Sequence, residues 1–163
     1  MWPEPVERVA AFLRAAQGEA RLEEFSDETP TVRAAARAVG TEPDRIVKSL
    51  VFVCDGRFVV ALVPGDRRAD ADKIAKAVGA SSARVAKSDE VLAATGFEPG
   101  AVAPFPHAKV ERVLIDRRIL AHDEVWVGAG SIRHMAAIRP EELLRLTKAL
   151  QMDAVEDREY HSG

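Results

Sequence analysis

The stretch Arg45-Ile46-Val47-Lys48-Ser49-Leu50-Val51-Phe52-Val53 reads as a buried β-strand, because Val47, Val51, Phe52 and Val53 are β-branched or aromatic. After Cys54 the run ends at Asp55-Gly56, the dipeptide of a two-residue hairpin, and residues 57–63 are again almost wholly apolar. The reading is therefore an antiparallel strand pair whose second member is covered on both faces. Inside the first strand sits Lys48, where its neighbours would favour leucine or valine. An ammonium is costly to remove from water, so two readings stand: Lys48 ends the strand on a solvated face, or it enters a pocket that uses its charge.

Towards the N-terminus, Val6, Val9, Ala10 and Leu13 recur at helical spacing and Gly18 offers a stop. An extended piece over 20–25 leads to Thr29-Pro30, read as a helix cap with proline in the first turn. Val32, Ala35, Ala36 and Val39 give that helix a small apolar face, and Gly40 closes it. Beyond the hairpin, Pro64-Gly65-Asp66 breaks the chain; Ile74, Ala75 and Val78 mark another helix, residues 81–86 a short strand, and Ser88-Asp89-Glu90 a further helix start. Thr95-Gly96 to Gly100, running on to Pro104, packs two glycines and two prolines into a loop of defined shape. Strands are expected over 110–115 and 124–127, the latter ending in the turn Gly128-Ala129-Gly130-Ser131, with a last strand over 133–138. Pro140 opens a terminal helix with Leu143, Leu146 and Leu150 facing inward, and from Asp153 the chain is polar and expected to fray.

These elements define one α/β domain over 1–163, with a core at about 6–150 and a polar tail at 151–163, built on a mixed, curved sheet or barrel flanked by helices. Hydrophobic residues make up 47% and charged residues 30%, an ordinary globular balance. No apolar run reaches the length of a membrane span and no signal peptide opens the chain, so a cytoplasmic protein without a membrane partner is expected. Cys54 is the sole cysteine, which excludes an internal disulfide and a cysteine metal cluster. With no His-Glu-x-x-His or similar ligand spacing, neither metal nor cofactor is expected. A net charge of −3 argues against a protein that grips DNA by bulk positive charge, although Arg67, Arg68, Lys73, Lys76, Arg84 and Lys87 form a local basic cluster.

Taken in order, Thr31-Val32 with the alanine-rich helix, the strand Ile46-Val47-Lys48-Ser49-Leu50-Val51-Phe52, Val63-Pro64, Val78-Gly79-Ala80, the Gly96–Gly100 loop with Pro104-Phe105, the strand ending at Asp116, and Gly128-Ala129-Gly130-Ser131 resemble the YbaK/ProX aminoacyl-tRNA deacylases. That family also includes the editing insertion of bacterial prolyl-tRNA synthetases. The resemblance spans about Leu13 to Lys148 and implies a mixed β-barrel flanked by helices. It further implies hydrolysis of the ester that joins a wrong amino acid, small like alanine, cysteine or serine, to the terminal ribose of a tRNA, commonly the tRNA for proline.

On that resemblance the lysine matching Lys48 is the characteristic functional residue, and Gly96, Gly100, Asp116 and Gly130 fall on the other motif positions. Catalytic residues are expected at Lys48, Gly96 and Gly100, and substrate-binding residues at Asp116, Gly128, Gly130, Ser131, His134 and Pro104. The chemistry agrees: attack on an ester creates an oxyanion that preorganised donors stabilise, and glycines let backbone N–H groups approach it. Simpler readings stand beside these. The glycines serve turn geometry, Asp116 caps the Arg117-Arg118 turn rather than holding an α-ammonium or orienting Lys48, and His134 is structural. Ser131 has no motif-defined base, so a serine nucleophile is unsupported, and Cys54 reads as a core residue. The expected partner is a mischarged aminoacyl-tRNA, with an aminoacyl-tRNA synthetase as a second. The competing functions are a silent tRNA- or synthetase-binding module and a Schiff-base lysine enzyme.

Overall fold

A computed structural model describes residues 2–157. Helices α1 (Glu4–Ala16), α2 (Val32–Val39), α3 (Ala71–Ala77), α4 (Ser88–Thr95) and α5 (Pro140–Thr147) surround strands β1 (Ala20–Glu24), β2 (Val47–Cys54), β3 (Arg57–Pro64), β4 (Ala83–Val85), β5 (Arg112–Asp116), β6 (Val125–Ser131), β7 (His134–Ile138) and β8 (Leu150–Met152). The expected hairpin is β2–β3, in unbroken antiparallel register from Val47↔Pro64 to Cys54↔Arg57, with Asp55 and Gly56 both at positive φ. It centres a mixed five-stranded sheet, order β4-β2-β3-β5-β8, in which β5 runs parallel to both β3 and β8. A second, antiparallel sheet has the order β1-β7-β6.

Strand periodicity explains the layers. Val60 and Leu62 of β3 join Val47 and Val51 of β2 in a core shared with Val125, Val127 and Ala129 of β6 and with Val9 and Leu13 of α1. Val59, Ala61 and Val63 face the other way, packing with Phe52, Cys54 and Ile74. β3 is thus covered on both faces, as its continuous apolar run requires, and Cys54 is a core residue. A parallel bridge between Ile46 and Trp126 joins the two sheets into one curved layer. Beyond that bridge β2 and β6 part.

Four local expectations are corrected. Helix α2 is capped by Thr31, whose Oγ1 accepts the Ala34 N–H; Thr29 instead donates its hydroxyl to the Ile132 carbonyl at 2.7 Å and holds the preceding segment extended. Helix α5 stops at left-handed Lys148, so Leu150 lies in β8 opposite Leu114 rather than on a helix face. The glycines of 128–131 are strand residues: β6 continues through them with a bulge, still paired to β7 at Gly128↔Met135 and Ser131↔His134. The chain does not fray at Asp153, because Ala154 and Val155 are fully buried against α3 and β5; residues 158–163 of the expected tail lie outside the described residues. Among the described residues no helix is long and apolar enough to cross a membrane.

Candidate active site

Where β2 and β6 diverge, a cavity of about 340 Å³ opens. One wall is the start of β2, from Ile46 to Leu50, and the opposite side is made by Gly128 of β6, Met135 of β7 and the loop residues Gly100 and Val102. Thr29, Pro30, Thr31, Val32 and Ala35 complete the lining as a roof formed by the first turn of α2 and the segment before it. Lys48 is its one ionisable lining residue among those described.

The Lys48 side chain is half-buried, and its Nζ donates to the Arg67 carbonyl at 2.6 Å. Among the described residues no carboxylate is bonded to it. Burial lowers its pKa below the ordinary lysine value; Asp66 acts against that shift and Arg68 adds to it. A lysine ammonium has three N–H groups, so one bond to Arg67 leaves two for a ligand. Lys48 thus lines a cavity rather than ending the strand on an open solvated face.

Two glycines border the cavity for different reasons. Gly100 has φ of +84°, a conformation other residues rarely adopt, while space beside it is open, the nearest atom to an added Cβ being Ile132 Cγ2 at 4.0 Å. Gly100 thus lines the cavity with no side chain over its backbone. At Gly128 a Cβ would lie 2.6 Å from the Val102 carbonyl oxygen, so the missing side chain lets the 95–104 loop close against β6.

The other expected site residues are elsewhere. Gly96 ends α4, and its carbonyl accepts Arg8 Nη2 at 2.6 Å. Gly130 lies against the backbone of Pro5 and Val6, where α1 begins, with no room for a Cβ. Ser131 Oγ and His134 Nδ1 are 2.6 Å apart across the β6–β7 turn. His134 is buried with its Nε2 3.0 Å from Glu24 Oε2, without hydrogen-bond alignment. Asp116 is fully buried and satisfied by the protein: Oδ1 accepts the Arg118 backbone N–H at 3.0 Å, Oδ2 accepts the Ala154 N–H at 2.7 Å, and the Arg118 guanidinium lies within 3.3 Å. It caps its turn and fastens the C-terminal segment. Pro104 is buried within its loop. None of these six lines the cavity among the described residues; Lys48, Gly100 and Gly128 do.

Sequence reasoning missed Ser49, the Thr29–Val32 roof, and Val102 and Met135. Ser49 adjoins the decisive lysine, but a serine in a strand carries no signal of its own. The roof was legible only as a helix start.

An aminoacyl-tRNA editing domain model matches residues 26–146, which include the whole cavity lining. The chain is 35% identical over 128 residues to proline–tRNA ligase of Xanthomonas oryzae pv. oryzae, covering 77% of this chain and 23% of that protein, so it spans under a quarter of such ligases. It is also 35% identical over 121 residues to the uncharacterized protein YwhH of Bacillus subtilis, covering 74% of this chain and 76% of that one. A crystal structure described as a candidate trans-editing enzyme for prolyl tRNA synthetase matches with a TM-score of 0.89 and 36% identity, over 96% of this chain and 99% of that chain. With a matching model across most of its length, and relatives that share its full fold, this chain belongs to the aminoacyl-tRNA editing domain family.

Proposed function

We propose that the protein is a trans-acting aminoacyl-tRNA deacylase, hydrolysing the ester between a small, wrongly attached amino acid and the terminal ribose of a tRNA, with the tRNA for proline as the expected carrier. The observation that carries this reading is Lys48: a desolvated ammonium, bonded among the described residues only to a carbonyl, at the wall of a cavity whose other described lining residues are uncharged. Such a group suits an oxygen that gains negative charge more than a resting carboxylate. Water or the free ribose hydroxyl attacks the ester carbon, the carbonyl oxygen becomes an oxyanion, and the ester C–O bond breaks to return the ribose oxygen to the tRNA. Lys48 and the Gly100 backbone, which both line the cavity, stabilise that oxyanion; losing one such donor typically costs about two to three powers of ten in rate. The cavity lies near the lower end of the usual ligand-pocket range of roughly 300–1,000 Å³, which favours a small aminoacyl group.

The test is a deacylation panel on tRNAs mischarged with alanine, cysteine and serine, run with the wild type and with Lys48→Met. Turnover that depends on Lys48 is expected; a protein that binds these tRNAs without releasing amino acid would be the non-catalytic module instead. Borohydride should trap no adduct on Lys48, since a covalent imine would mark the Schiff-base alternative.

A further inference from the structure

The wall of the cavity is a strand edge. Gly65 N–H donates to the Ile46 carbonyl at 2.7 Å on the β3 side, and the two-residue turn makes Cys54 and Arg57 a hydrogen-bonded pair. Even-numbered residues of β2 therefore direct their backbone groups at β3. Odd-numbered ones point to the opposite edge, as the Ala86 N–H bond to the Val51 carbonyl at 2.9 Å shows. On that edge β4 pairs only with Phe52–Cys54, and β6 makes a single bridge, at Ile46. Between them Ser49, which lines the cavity, has its N–H and C=O on that edge without a strand partner among the described residues. Its Oγ is buried and likewise lacks a hydrogen-bond partner.

We infer that the α-amino acyl group binds as a one-residue extension of the sheet on Ser49: its α-nitrogen donates to the Ser49 carbonyl oxygen while its ester carbonyl accepts the Ser49 N–H. An α-aminoacyl ester has the N–Cα–C=O spacing of a peptide residue, and a hydrogen-bonded antiparallel pair exchanges the same two bonds. The cavity's charge explains why the carbonyl is needed. No aspartate or glutamate lines it among the described residues, and Lys48 adds positive charge, so the substrate's nitrogen has no carboxylate to meet. Neighbouring backbone recognition also reads the α-amino group without reading the side chain, leaving size selection to Val102, Met135 and the α2 roof.

This inference rests on the deacylase reading and deepens it. Two non-hydrolysable amides of 3′-amino-3′-deoxyadenosine test it on the wild-type protein, one carrying an alanyl and one a propionyl group, which differ only in the α-amino group. The alanyl amide should bind about tenfold tighter, the value of the one well-made hydrogen bond that the propionyl amide lacks, and it should move the Ser49 backbone amide resonance downfield and slow its exchange. Equal affinities, or an unmoved Ser49 amide while the Gly100 and Lys48 resonances shift, would overturn the edge pairing even with deacylation intact. Failure to deacylate any mischarged tRNA would instead remove the reading beneath it.

Discussion

Lys48 lies on a strand whose neighbours are apolar, and the protein keeps its ammonium half-buried with a carbonyl as its bonded partner. Burial penalises the charged form, so holding it costs stability at neutral pH. Lys48→Met, which keeps the stem, should abolish deacylation yet raise the melting temperature by a few degrees. That cost is present below the lowered folded pKa and fades as pH rises through it, so the gap in melting temperature should shrink in alkaline buffer; thermal scans across pH check both. Asp116 makes the opposite prediction. Its carboxylate is fully buried and spent on Arg118 and Ala154, so Asp116→Ala should cost about 2–4 kcal/mol of stability while leaving KM for mischarged tRNA near the wild-type value. A large KM change at wild-type stability would restore its substrate-binding role.

Among the elements, β6 and the 95–104 loop matter together. Gly128→Ala would drive a methyl into the Val102 carbonyl at 2.6 Å, so the loop must withdraw and both stability and turnover should fall. Gly100→Ala meets open space and a positive φ, costing about 1–2 kcal/mol of backbone strain, and should lower turnover through the displaced backbone. Parallel denaturant melts and single-turnover rates separate the two. The closing segment is a second case. Val155 and Ala154 are fully buried, Lys73 Nζ lies 2.8 Å from Asp153, and Arg118 lies 3.0 Å from the same carboxylate. Truncation after Met152 should therefore cost about 3 kcal/mol, the burial of a valine and the loss of Asp116's backbone donor together, read as a shift in the urea midpoint.

At the scale of the molecule, charge is spent internally. Lys73 pairs with Asp153 and Asp157, Arg84 with Glu90, and Arg67 donates to the Glu156 carbonyl, so much of the basic cluster at 67–87 is engaged rather than offered to phosphates. With a net charge of −3, binding to uncharged tRNA should be weak and should fall steeply with salt; tight binding insensitive to salt in a titration would contradict this. The same pairing shapes acid stability. Arg145 and the Glu19 N–H hold Glu142 at about 2, below its ordinary 4.5, and Lys73 with Arg118 holds Asp153 at about 2, below 3.8. Both carboxylates favour the fold above their ordinary values, and that contribution is lost as pH falls towards about 2. Unfolding midpoints should drop across that window, and less so in Glu142→Gln.

The local sequence by itself determined the hairpin, because Asp55-Gly56 between two apolar runs admits few alternatives, and it determined the covered faces of β3 and the anomaly of Lys48. Those signals act within a few residues, where backbone preference and hydrophobic period are legible. The tertiary structure decided which motif residues meet. Asp116 and Gly130 have the residue types of a site, yet the first is consumed by a segment 38 positions away and the second by the start of α1. Ser49 has no such signature, and it faces the cavity because β4 and β6 leave that edge of β2 uncovered. Strand-edge exposure is a property of pairing across the whole chain, so no reading of nearby residues could have supplied it.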